Sequence, residues 1–460
     1  MKSGPLGALL SILAPVLVPL RAQVLTLDRV LDRADRSAYA VRAAQGAADA
    51  QRAQSTATLR AFLPSIRADA GLVKTTDPIG AFGNTLRQRI ITQADFDPAR
   101  LNFPDVSSNW TGALVIEQPL VNADAVAARA AASHMQRAAQ RSTEWVVIET
   151  RVNAIRAYYG ATLATIKVGT LEAALRAAHA HVSQAEQSAI NGMVTPSDAL
   201  LAAVKAGEVE ARLVQAQGDA ASAKLALAIA MGTPADTMFA LPSVLPAIRS
   251  IETGAAAAID GHSRPRADVV AAAESQEATS ADRWRAKALA FPRINSFARY
   301  DWNSPARVFN GDRNWTVGVM ASWSIFSGAA NLAERQATHG RAEQAEAMRD
   351  AADAKATLDL QQSRSALQAA LARLTIATRA LAQSIDAHRI VGRRYDAGLA
   401  SVVELLDAAA GETQIRLALV GAQYDTIVAT AERLKALGLD PAALRILDGT
   451  AEVASPNDRP

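Results

Sequence analysis

The 460-residue chain contains no cysteine. That excludes disulfides, thiolate metal sites, cysteine nucleophiles and a lipid anchor on an N-terminal cysteine. An excess of one charge is lacking as well: 48 Lys and Arg stand against 45 Asp and Glu, a formal net charge of +3. Lys2 and Arg21 lie in the leader described below, so a chain cut after Ala22 carries 46 basic against 45 acidic residues. Such a balance gives no case for nucleic acid, which needs a clustered basic face. The pI of 9.2 is no counter-argument, because near neutrality a few charges swing it widely. After the leader no segment has 18 uninterrupted apolar residues, which excludes a conventional transmembrane helix. Gly-x-Ser-x-Gly, a phosphate loop and His-Glu-x-x-His are all missing; no catalytic residue, cofactor or metal is called for. His179 and His181 are two apart on a helix and do not share a metal-binding face.

Proline is missing from 121–195 and again from 306–440. Both stretches are rich in Ala, Leu, Arg, Glu and Gln, good helix formers. Apolar residues step by 4 and 3 along Leu171, Leu175, Ala178, Val182, Ala185 and Ala189, and along Val420, Tyr424, Ile427, Ala431 and Leu434. That spacing predicts coiled-coil seams, many of them alanine and therefore close. A helix over 123–190 would be roughly 100 Å long at 1.5 Å per residue.

What is present is present twice. Asn109-Trp110-Thr111 opens an alternating strand that runs into a long helix, and Asn314-Trp315-Thr316 repeats it 205 residues later. Glycine turns follow at Gly192-Met193-Val194-Thr195 and Gly398-Leu399-Ala400-Ser401, and helix ends at Met231-Gly232 and Leu437-Gly438, both pairs 206 apart. A near-constant offset means a duplicated unit. The chain divides accordingly. The first repeat covers 23–232, with strands at about 64–73 and 109–118, a solvent-facing loop 74–108 and helices 123–190 and 195–231. A proline-bearing linker, 233–265, separates the copies. The second repeat covers 266–438, with strands at about 292–302 and 314–325 and helices 328–396 and 401–437; 439–460 is an irregular tail. Helical segments 27–61 and 266–290 precede the strands. Residues 1–22, with a positive start and an apolar run from Leu6 to Leu20, read as a secretory signal peptide. An N-terminal membrane anchor is the other reading, for which the run is short.

The strands alternate with period 2. Ile66, Ala68, Ala70 and Leu72 oppose Ser65, Arg67, Asp69 and Gly71; Trp110, Gly112, Leu114 and Ile116 oppose Thr111, Ala113, Val115 and Glu117. Trp302, Trp315 and Trp323 stand at strand ends like Trp110, the pattern of membrane-interface aromatics on β-barrel strands facing outer-membrane lipid. Both Asn-Trp-Thr triplets fit a glycosylation acceptor, but they sit on strands. A half-buried soluble hairpin fits the same alternation. If the strands do span a membrane, four cannot close a barrel, since the smallest known have eight; chains must share one.

At this point the chain resembles the TolC family of trimeric outer-membrane channels. The carriers are the duplication, Gln118-Pro119-Leu120 and Ser324-Ile325-Phe326-Ser327-Gly328 at the strand-to-helix joints, and Arg264-Pro265 before Asp268-Val269. With them goes Tyr395-Asp396-Ala397-Gly398, followed by Ser401-Val402-Val403-Glu404-Leu405-Leu406-Asp407-Ala408. The resemblance covers about residues 24 to 445 and rests on order and spacing together. It implies a membrane β-barrel plus a long α-helical coiled-coil barrel: twelve strands built by a homotrimer, above a helical cylinder crossing the periplasm. Residues 233–265 and the tail would form an equatorial belt. It also implies an efflux duct in the outer membrane, coupled through a periplasmic adaptor to an inner-membrane pump. The adaptor would dock at Gly192, Met193, Val194 and Thr195 and at Gly398, Leu399, Ala400 and Ser401. Glu404 and Asp407 would ring the aperture, with Tyr395 tying it closed; Ala400 stands where a gate-bonding arginine can occur. Plain helix-ending turns and a solvated helix face account for the same residues. An exit duct for type I protein secretion remains open, as does, from another class, an adaptor or periplasmic structural coiled coil.

Overall fold

The computed structural model describes residues 24–192, 194–237, 239–445 and 447. The expected signal peptide, Met193 of the first tip and the last residues of the tail lie outside them.

The chain opens with α1 (Leu27–Ser37) and α2 (Tyr39–Ala57), then β1 (Ser65–Thr75), α3 (Pro78–Arg87), α4 (Pro98–Asn102) and β2 (Ser107–Val121). Two helices of very different length to those follow, α5 (Ala123–Ile190) and α6 (Pro196–Ala230). The connector carries α7 (Ile248–Ile259). The second half is α8 (Ala267–Ala288), β3 (Arg293–Ser304), β4 (Asp312–Ser322), α9 (Ala330–Asp396) and α10 (Val402–Ala436). Helices α5 and α9 have 68 and 67 residues, about 100 Å each. They pair with α6 and α10 into two antiparallel hairpins, and α2 and α8 lie along the ends of α5 and α9 nearest the sheet.

Alanine lets these helices close. Ala178 and Ala185 on α5, and Ala202, Ala206, Ala216 and Ala220 on α6, are all buried, so backbones approach without the splay a larger side chain would force. Bulk is concentrated in one knot near the hairpin bases. There Tyr158 and Tyr159 meet edge to face at 4.9 Å, among buried Leu27, Leu31, Leu227, Met231, Ile251 and Ile427. Residues 233–265, expected as a linker, contribute α7 to this knot through Ile251, Ala255 and Ala258. The stretch expected as one helix over 27–61 breaks at Ala38, whose ψ of 135° is extended. At this break the chain passes close to Gly232, where a Cβ would lie 2.1 Å from the Ser37 carbonyl oxygen. The duplicate Gly438 sits the same way against the Arg264 carbonyl, 2.7 Å from such a Cβ. Their φ angles are +63° and +70°, in the left-handed region that favours glycine.

The four strands form one antiparallel sheet in the order β1-β2-β3-β4. Register puts Ile66, Ile116, Ala298 and Val317 in one row and Ala68, Leu114, Tyr300 and Trp315 in the next. Strand β4 ends at Ser322, not 325. Its last partner is Arg293, and the preceding Pro292 has no N–H to extend the ladder. Trp323 therefore lies past the strand end, where its indole N–H donates to the Ala290 carbonyl at 2.9 Å. The expected loop 74–108 carries α3 and α4, each started by an aspartate: Asp77 accepts from the Gly80 N–H and Asp97 from the Ala99 N–H.

Candidate functional site

The molecule has two ends and a wall between them. At the hairpin tips, helix α9 closes by a double hydrogen bond. The Leu399 N–H donates to the Arg394 carbonyl at 2.7 Å and the Gly398 N–H to the Tyr395 carbonyl at 2.9 Å, with Gly398 at φ +71°. This is the Schellman pattern, which needs a left-handed residue at its centre. Gly192, at φ +73°, follows the end of α5 with its N–H on the Ala189 carbonyl at 3.1 Å. The outgoing helices are capped by side chains. Thr195 and Asp198 form a reciprocal capping box with Pro196 in the first turn, and the Ser401 hydroxyl accepts from the Glu404 N–H at 3.2 Å. Val194 and Ala400 complete the turns, and Leu399 points its apolar side chain into solvent, 69% exposed.

Just inside the tips, Tyr395 packs with Val182, Ala199 and Val403 around the buried side chains of Ala185, Ala202, Val402 and Leu406. It thus joins the α9–α10 hairpin to the α5–α6 hairpin. Glu404 and Asp407, one turn apart on α10, are both exposed. Their partners differ. The Glu404 carboxylate accepts from the Ser401 hydroxyl at 3.4 Å, whereas Asp407 lies 3.3 Å from the Lys205 ammonium on α6. Sequence reasoning missed Lys205: nothing in the local pattern pairs a lysine with a carboxylate on the other hairpin.

A cleft of about 980 Å³ opens above this point between α5, α6 and α10. His181 and His388 reach into it. The Glu412 carboxylate accepts from Arg416 at 2.6 Å and sits 2.7 Å from His388 Nδ1. Burial pushes the Glu412 carboxyl up, but those two partners outweigh it and hold it below the usual range. The His181 imidazole is pushed down, chiefly by burial and then by His388. Further up, Arg266 is buried between Asp268 at 2.7 Å and Asp359 at 2.9 Å, with its guanidinium 4.6 Å above the Trp145 ring. It locks the start of α8 to α9 and α5.

At the sheet end, the two faces differ sharply. One exposes Ile66, Leu72, Trp315, Val317 and Val319 at 44 to 70%, an apolar area of the kind that marks a membrane or a partner. Trp110 and Trp302 share that face near the α3 end of the sheet, Trp302 meeting Phe309 edge to face at 5.3 Å. Gly112 makes room for that contact, since a Cβ there would lie 2.5 Å from the Phe309 ring. The other face carries Arg67, Asp69, Glu117, Arg299 and Asp301 beside exposed Val73 and Met320. Against its α3 end folds α3 itself: Asn84 and Gln88 join Asn109 and Asn303 in a buried amide network, with Gln88 donating to Asn109 Oδ1 at 2.9 Å and Asn109 to Asn303 Oδ1 at 2.9 Å. Among the described residues no helix is long and apolar enough to cross a membrane, and no cluster has the makings of a metal site.

Comparison with known proteins agrees with this arrangement. The family model described as outer membrane efflux protein matches residues 30–233 and 264–439, one block per repeat. No curated protein matches the chain. Among solved structures, VceC, an outer membrane protein of Vibrio cholerae, superposes with a TM-score of 0.74 at 20% identity, covering 92% of this chain and 98% of its own. The outer membrane channel CmeC of Campylobacter jejuni gives 0.74 at 14%, covering 93% and 90%. A membrane protein from Pseudomonas aeruginosa gives 0.74 at 19%, covering 90% and 93%. At these identities the likeness concerns the fold, a four-strand sheet on long helical hairpins. The family match covers both repeats, and with it the chain belongs to the outer membrane efflux proteins.

Proposed function

We propose that three copies of the chain close one twelve-stranded barrel and work as the passive exit duct of a tripartite efflux system. The observation that carries this is the open sheet with an apolar outer face. Strands β1 and β4 each pair on one side only. In lipid, their free N–H and C=O groups would each cost several kcal/mol. Pairing β1 of one copy with β4 of the next removes both edges, and three copies of four strands exceed the eight-strand minimum. The apolar rows then face outer-membrane lipid, with Trp110, Trp302 and Trp315 toward one interface and Trp323 toward the other.

The helical hairpins continue the bore into the periplasm. The tips, Gly192, Met193, Val194 and Thr195 with Gly398, Leu399, Ala400 and Ser401, are the docking sites for a periplasmic adaptor protein. Exposed Leu399 offers that partner an apolar contact. Glu404 and Asp407 line the aperture, and Tyr395 holds the two hairpins of each copy together beside it. Energy enters from an inner-membrane pump; the duct performs no chemistry.

Bilayer conductance of the detergent-extracted protein, with its mass measured by light scattering, tests this. Discrete channels from a species near three chains are expected. A monomer, or a species that never conducts, would remove the shared barrel.

A further inference from the structure

The second face of the sheet carries charge in an order the duplication does not explain. Arg67 on β1 stands opposite Val115 on β2, and Val115 opposite Arg299 on β3. Two residues along, Asp69 stands opposite Ala113 and Ala113 opposite Asp301. Each arginine binds the aspartate of its own strand: Arg67 Nε donates to Asp69 at 3.2 Å, and Arg299 Nε to Asp301 at 2.7 Å. Val115 and Ala113 between them are buried at 6% and 2% exposure. Strand β4 adds only the neutral Thr316 and Asn314 to these rows. Charge therefore falls on alternate strands.

The duplication aligns Pro64 with Pro292 and Ile66 with Ile294, which sets Arg67 against Asn295, four residues short of Arg299. Strand register, not inheritance from the repeat, brings the two Arg-x-Asp pairs level. Stability does not account for them either. Their side chains are 61% and 47% exposed in the first pair and 46% and 22% in the second, and exposed pairs are worth about 0–1 kcal/mol. What such pairs do supply is a local field.

We infer that these pairs form a charge-balanced arginine–aspartate belt around the outer bore, which removes any preference for one sign of charge and keeps it open to ions of either sign. The inference rests on the three-chain barrel proposed above. Three chains bring two pairs each, six arginines and six aspartates. Barrel strands tilt by about 35–45°, so a row perpendicular to them climbs along the bore. Threefold symmetry makes each residue a ring of three, and the tilt interleaves the arginine and aspartate rings along the bore as one belt in place of one basic ring beside one acidic ring. Glu117 lies on the same face two residues beyond Val115, toward the helices, and Asp312 lies at the opposite end; both are outside the belt rows. The solutes that suit such a wall are amphoteric, or mixtures of anions and cations; a wall of one sign would exclude half of them.

A thiol placed in the belt reads its field directly, because the chain has no cysteine of its own. Thr316→Cys, opposite Arg299, is treated in the detergent-solubilised protein with a cationic and an anionic methanethiosulfonate of similar size. The ratio of the two rates should match that of a free thiol. Asp69→Asn with Asp301→Asn should turn the ratio toward the anionic reagent by about fivefold or more, and Arg67→Gln with Arg299→Gln toward the cationic one. Combining all four changes should restore it, which a merely misfolded variant cannot do. A ratio that neither pair of changes moves overturns the belt. Val317→Cys, one residue on and on the apolar face, separates that failure from failure of the barrel. It must stay shielded while Thr316→Cys reacts. The reverse order of reactivity, or none at position 316, would sink the barrel and the belt with it.

Discussion

Lys205 of α6 and Asp407 of α10 stand 3.3 Å apart across the two hairpins, 202 residues from each other in sequence. Both side chains are well exposed, at 37% and 59%, so the pair adds at most about 1 kcal/mol to stability. Its place matters more than its strength. Any widening at the tips that moves α6 away from α10 must break it. Lys205→Ala is expected to leave the melting temperature within about 2 °C and to raise the open fraction in single-channel records. An open fraction equal to wild type would show that the pair does not restrain the tips.

The acidic residues themselves are tested by block. If Glu404 and Asp407 line the aperture, a multivalent cation added on the tip side should reduce single-channel current, since rings of carboxylates concentrate cations. Changing both to Ala should abolish the block. Lys205→Ala should strengthen it, because Asp407 then loses its neutralising partner. Block that survives the double change places the carboxylates elsewhere.

Arg266 should be the most sensitive single position outside the hydrophobic knot. Its side chain is 3% exposed between Asp268 and Asp359, and Trp145 lies beneath it. Arg266→Ala leaves two carboxylates without their shared cation and is expected to cost about 3 kcal/mol or more. Arg266→Lys should recover only part, because an ammonium cannot bind both carboxylates through a planar fork. Denaturant unfolding of the assembled protein reads both; equal loss in the two variants would mean that shape, not charge, is what the site requires.

Much of this fold was readable because the chain repeats itself. Trp110 and Trp315, Gly192 and Gly398, Gly232 and Gly438 mark equivalent places, and period alone separates strand from helix on either side of them. The errors came where a neighbour decides. Alternation runs on through Trp323, but β3 begins after Pro292 and offers that residue no partner. The prolines of 233–265 hid α7, whose apolar face is apparent only against α10. Asp77-Pro78 is a usable helix-start signal for α3, although it stands among turn residues. Lys205, Arg266 and the level Arg67 and Arg299 were beyond local pattern, because each depends on a residue that register or packing brings from far along the chain.

The cleft between the hairpins should respond to mild acid. The His181 imidazole is lowered by burial and by His388, and Gln184 on α5, Arg389 on α9 and Glu412 on α10 line the same small pocket. A histidine with a depressed folded value contributes stability that is fully present above its unfolded pKa of about 6.5 and is lost as pH falls through the folded value. Glu412, also depressed, loses its contribution only further down, below about 4.5. Melting temperature should therefore fall in a first step below about pH 6.5, and His181→Gln should remove that step while leaving the later one. A first step that persists in the variant would assign the acid response to another group.

Asn84 and Gln88 of α3 bind Asn109 on the second face of the sheet, and Asn109 in turn donates to Asn303, while Arg89 donates to the Arg313 carbonyl at 3.2 Å. In a three-chain barrel that face lines the bore, so three copies of α3 would narrow its outer mouth. The four amides are buried at 1 to 6% exposure, and each one removed leaves a partner unsatisfied at about 1–3 kcal/mol. Asn84→Ala with Gln88→Ala touches only the α3 side and leaves the strands intact. Release of α3 should raise single-channel conductance and speed proteolysis between Thr75 and Ser107, with the trimer mass unchanged. Faster cleavage without a rise in conductance would place α3 outside the conducting path, and neither change would mean that the strand-side amides hold the segment through other contacts.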